Sequence, residues 1–195
     1  MPEATRRAFV LGLAGLAACQ SSPPPARLAD ITFSHLQPFA LDVAAIDYVE
    51  RFQPPDDPTH VEDRFPISPA AAARRWVEDR LRAVGTARTA RVTLLDASAT
   101  LQPLAAEGGI AGLFTNEQEK RYDVALDMLV EIVGPDGRYV EAHVRASAEG
   151  STTVAENATV EQRDTALYRV TEDAVQALDR ELDAGIRRHL ADYLP

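Results

Sequence analysis

The chain of 195 residues holds a single cysteine, one tryptophan and four histidines. Cys19 lies so near the start that the rest of the chain has no thiol for a disulfide, a zinc cluster or a redox pair. Stability of the body must therefore come from its apolar core. Beyond residue 18 no hydrophobic run approaches the roughly 20 residues that a membrane-spanning helix needs. The histidines, His35, His60, His143 and His189, stand alone in separate stretches, without the spacing of metal ligands. No glycine-flanked serine elbow, phosphate-cradling loop or helical His-Glu-x-x-His is present. The sequence assembles no catalytic set, no metal site and no cofactor site, so it predicts a protein that is not an enzyme. Positive charge is short as well. The formal net charge is −10, and without the first eighteen residues, whose charged side chains are Glu3, Arg6 and Arg7, it is one unit more negative. A surface this acidic argues against nucleic acid and against anionic lipid headgroups as partners.

What the chain does have is a start of recognisable order. Arg6 and Arg7 precede an apolar run over residues 8–18, which ends in Leu16-Ala17-Ala18-Cys19. Charge, then an apolar stretch, then small residues is the order of an export signal. The segment resembles the signal of bacterial lipoproteins, whose lipobox is Leu, two small residues and Cys. That resemblance implies cleavage before Cys19, which then carries acyl chains and anchors the protein to a membrane. Each buried CH₂ contributes roughly 0.8 kcal/mol, so two or more chains hold a protein on a bilayer almost permanently. The other reading is a signal that is simply removed, which frees a secreted protein. Thr5-Arg6-Arg7-Ala8-Phe9 also resembles a twin-arginine export signal. Gln20 stands where an aspartate would resemble an inner-membrane retention signal, which favours the outer membrane.

Residues 19–37 follow as a polar tether around Pro23-Pro24-Pro25, and residues 38–195 are expected to form one domain. Residues 39–52 predict a first strand with a phase change in the middle. A proline-rich loop over residues 53–67 carries Asp56, Asp57, His60 and Phe65, with the aspartates and His60 placed to meet an ion or simply to face water. Ser68-Pro69 opens a helix, since serine caps free N–H groups and proline suits the first turn. Ala72, Ala73, Trp76, Val77, Leu81 and Val84 keep helical spacing until Gly85 ends it. Residues 91–101 predict a second strand, and residues 102–119 a glycine-rich loop with Phe114. Tyr122, Val124, Leu126, Met128, Val130 and Ile132 alternate with polar residues, Gly134-Pro135-Asp136-Gly137 turns the chain, and Val140 to Ala148 alternate again. That is an antiparallel hairpin. Thr159 and Gln162 make a capping box for a terminal helix of about 34 residues, about 50 Å long. Such a helix either projects beyond the sheet or kinks near Gly185.

The order strand-helix-strand-strand-strand-helix predicts an α+β fold, a mixed four-stranded sheet with both helices packed on one face. That order resembles the small auxiliary lipoproteins of ABC-linked and lipopolysaccharide transport systems. The resemblance implies a periplasmic accessory protein that scaffolds or assists an envelope complex, with Phe65 and Phe114 as candidate partner contacts. A lipid or small-molecule carrier binding between sheet and helices is the alternative, and a hydrolase with a dispersed site is the third reading.

Overall fold

The computed structural model describes residues 28–104 and 119–195. In chain order the elements are β1 (Phe39–Leu41), β2 (Ala45–Glu50), α1 (Pro69–Arg80), β3 (Leu81–Ala83), β4 (Thr89–Asp96), β5 (Ala99–Leu104), β6 (Glu119–Val133), β7 (Val140–Ala155) and α2 (Val160–His189). Short 3₁₀ turns occupy Glu62–Arg64 and Ala191–Tyr193.

The sheet is built on β6, whose alternation puts Tyr122, Val124, Leu126, Met128, Val130 and Ile132 on one buried face. One edge of β6 pairs with β7 along its whole length. The other edge takes β4 beside residues 127–133 and then β5 beside residues 119–124, both antiparallel. The two share one row interrupted by a register shift, where Asp96 Oδ1 accepts the Ser98 N–H at 2.9 Å. β2 adds a parallel edge strand to β4. The result is a sheet four rows wide, α+β in class, with helices packed on it.

The buried face carries both helices. Ser68 Oγ accepts the Ala71 N–H at 3.2 Å and starts α1, which buries Ala72, Ala73, Trp76 and Val77. Thr159 and Gln162 exchange both bonds of the capping box at the start of α2. Leu167, Ala174, Leu178, Leu182 and Ile186 then form its buried stripe.

Four expectations need correction. The first strand is two: β1 leaves the main sheet to pair in parallel with β3, and only β2 joins the main sheet. The second strand, expected over residues 91–101, is likewise two, broken by the Asp96 turn. Helix α1 ends at Arg80, and Leu81 passes into extended backbone at φ −114, ψ 138. Gly85 is therefore no helix stop. A Cβ there would lie 2.2 Å from Asp42 Oδ1 and 2.7 Å from Val43 N, so glycine lets this stretch press against another backbone. Helix α2 has 30 residues and runs unbroken through Gly185. A Cβ at Gly185 would meet Val144 Cγ1 at 2.6 Å, so glycine there seats the helix on β7.

Candidate functional site

The most heavily bonded place in the body is where the chain entering from the tether crosses the helices. Residues 28–37, expected to be tether, pack instead: Ile31 and Phe33 are buried in the core cluster. Asp79 on α1 holds this strap by accepting from Thr32 Oγ1 at 2.7 Å and from the Phe33 N–H at 2.8 Å. Partial burial pushes the Asp79 carboxyl up, but the bonds from Thr32 and Phe33, aided by Arg75 and Arg82, outweigh it and hold the pKa below the ordinary value.

The next residue, Arg80, is 3% exposed and forms a clasp between three segments. It donates from Nε to Asp179 Oδ1 at 2.8 Å and from Nη2 to Asp183 Oδ1 at 2.9 Å, both on α2, and from Nη1 to the Gln37 carbonyl. Trp76 Nε1 also donates to Asp179 Oδ1, at 2.7 Å. The ring of Phe39 lies under Arg80 at 4.7 Å and under Arg187 at 5.1 Å. Arg187 in turn bonds Asp183, and this is the main cause that lowers the Asp183 pKa. Every charge in the clasp has a partner, and the arrangement joins α1, α2 and the entry segment.

The loop over residues 53–67 folds back on the sheet. Val61 N–H donates to Ala99 O at 2.9 Å and Leu101 N–H to Thr59 O at 2.8 Å, so His60 bridges Thr100 beside β5. Glu62 Oε1 accepts the Ala99 N–H at 3.0 Å and contacts His60 Nδ1 at 2.7 Å. His60 thus pairs with Glu62 and not with the aspartates. Asp57 takes the N–H and hydroxyl of Thr59, both at 2.8 Å, and those bonds lower its pKa. Among the described residues no cluster of His, Cys, Asp and Glu is arranged to hold a metal ion.

Of the expected contact residues, Phe65 is a correction: it is buried at 6% exposure and meets the Tyr122 ring edge-on at 6.3 Å. The loop that carries it docks on β5, which turns the ring into the core. Phe114 and Cys19 lie outside the described residues.

The face of the sheet away from the helices is open and polar. A groove of about 570 Å³ there is lined by Ser98, Thr100, Arg121, Asp123, Glu149 and Ser151, among others. Arg121 bonds Asp123 at 2.8 Å, and Arg145 bonds Asp127 at 2.5–3.2 Å. Such a surface can take a polar partner by hydrogen bonds, but its charges are largely paired within the strands. The clasp was missed from sequence, although Arg80 continues the buried α1 spacing of Ala73, Trp76 and Val77. A charged residue on a buried stripe is a signal that it has a partner.

No family model matches the chain, and no curated protein matches it. Solved structures similar to it include two lipoproteins. A minor lipoprotein from Acinetobacter baumannii is 13% identical, with 75% of this chain and 95% of that one covered and a TM-score of 0.38. Rare lipoprotein B from Shewanella oneidensis is 12% identical, with 72% and 92% covered and a TM-score of 0.34. Likeness at this level carries no argument about function, and the fold stands on its own strand order.

Proposed function

We propose that this chain is a lipid-anchored accessory protein of the bacterial envelope, held at a bilayer through Cys19 and serving as a scaffold for a membrane transport or assembly complex. The observation that supports it most is the strap. Ile31 and Phe33 pack immediately after the proline-rich stretch, and Thr32, Phe33 and Gln37 are tied to Asp79 and Arg80. Only nine residue steps separate Cys19 from Leu28, a reach of about 30 Å when fully extended. An acylated Cys19 would therefore keep the helix layer close to the membrane surface. The carrier reading needs an apolar cavity between sheet and helices. There Trp76, Met128, Leu178 and Leu182, all at 0% exposure, belong to one buried core cluster.

The test is metabolic labelling with palmitate, followed by crosslinking from membranes, on the native chain and on Cys19→Ser. Label and a discrete envelope complex recovered with the native chain alone are the expected result. A chain that carries no label and fractionates as soluble would remove the anchor. A labelled chain recovered alone would leave the anchor and remove the scaffold.

A further inference from the structure

Strand β7 is sixteen residues long and has a partner on one side only, since among the described residues no strand pairs with its other edge. Edges of this length are normally blunted by proline or lysine, and residues 140–155 contain neither. The side chains along its outer face are His143, Arg145, Ser147, Glu149 and Ser151, opposite Glu131, Leu129, Asp127, Ala125 and Asp123 of β6. This row is complementary to itself. Turned about an axis through Ser147, it pairs antiparallel with a copy so that Arg145 faces Glu149 of that copy, twice by symmetry. On the buried face Ala146 then meets Ala148, a pair with no bulk to hold the strands apart. Arg145 is 63% exposed and uses Nε and Nη2 on Asp127, so Nη1 is the nitrogen left for a second carboxylate.

Helix α2 borders the same edge. The would-be Cβ atoms of Gly150 and Gly185 approach Val170 and Val144 to 3.0 and 2.6 Å, so α2 runs along β7 in the opposite direction. Its flank above the open edge borders a groove of about 600 Å³, lined by Glu181, Ala184 and Arg188 together with His143 and Arg145. Those two contacts with β7 set Ser147 beneath residues 177 and 178 of α2, so an axis through Ser147 passes the helix at that height.

We propose that the open edge of β7, with the flank of α2 above it, is a twofold interface at which a second copy of this chain pairs and continues the sheet. The contact is isologous, so it closes at two copies and builds no fibre. It does not depend on acylation of Cys19.

The experiment places one cysteine on the axis, Ser147→Cys in a Cys19→Ser chain, and follows oxidation on non-reducing gels together with sedimentation. A disulfide-linked dimer is expected. Without the added cysteine, Glu149→Arg sets arginine against arginine twice, and the dimer should weaken by about tenfold or more. Arg145→Glu should weaken it likewise, whereas an equimolar mixture of the two single variants should recover a mixed dimer, which also shows that both still fold. A Ser147→Cys chain that stays monomeric overturns the proposal. So does a dimer indifferent to Glu149→Arg, or a Ser147→Cys chain that links in cells to a different protein and not to itself.

Discussion

The two faces of one sheet put charge to opposite uses. On the helix side Arg80 is almost fully buried and donates to Asp179, which also accepts from Trp76. On the open side Arg121–Asp123 and Arg145–Asp127 pair at comparable distances, but with both arginines about half exposed or more. Distance alone therefore does not rank these pairs. A buried pair broken on one side leaves a charge that water cannot reach, whereas an exposed pair broken on one side is resolvated at once.

That contrast can be broken first at Asp179. Asp179→Ala leaves Arg80 Nε and the Trp76 N–H without their acceptor, while Asp183 and the Gln37 carbonyl still hold the other guanidinium nitrogens, and should lower stability by about 2–4 kcal/mol in chemical denaturation. Replacing Arg80 and Asp179 together by apolar residues should recover much of that loss, because no lone charge remains. An intermediate effect is expected at the strap. Asp79→Ala removes two hydrogen bonds and should cost about 1–2 kcal/mol, with faster hydrogen exchange confined to residues 31–36. Acid should do the same without mutation. The folded pKa of Asp79 is depressed, so its contribution is complete above the unfolded value of about 3.9 and is lost as pH falls through the lower folded value. The smallest effect belongs to the open face: Arg121→Ala should change stability by no more than about 1 kcal/mol, less in high salt. A loss there as large as at Asp179 would erase the distinction between the faces.

Elements whose signal is local were legible in the chain. The β6–β7 alternation, the turn with Gly137 at φ 70, Ser68-Pro69 and the Thr159 capping box each specify their own geometry within a few residues. What escaped was set by distant partners. Leu81 and Val84 fit helical spacing, but pairing of β3 with β1 and the hold of α2 on Arg80 end the helix at that residue. Likewise the loop around Phe65 reads as carrying a candidate partner contact, and its docking depends on Ala99 and Leu101, more than thirty residues on. The candidate site was less legible than the fold. A basic residue in a buried stripe declares that a partner exists without naming it, and self-complementarity along β7 has meaning only once that strand is known to be an edge.

The strap also determines how the body bears load. Any pull that enters from the N-terminus meets the bonds of Thr32 and Phe33 to Asp79 first, and then the bond from Arg80 to Gln37. The short β1–β3 ladder comes next, and the main sheet lies beyond it. These attachments are in series, so they peel one after another. About ten residues freed in this way lengthen the leash by roughly 35 Å and withdraw Ile31 and Phe33 from the core before the main sheet feels tension. The entry segment is in effect a mechanical fuse, able to yield and reset while the structure behind it stays folded.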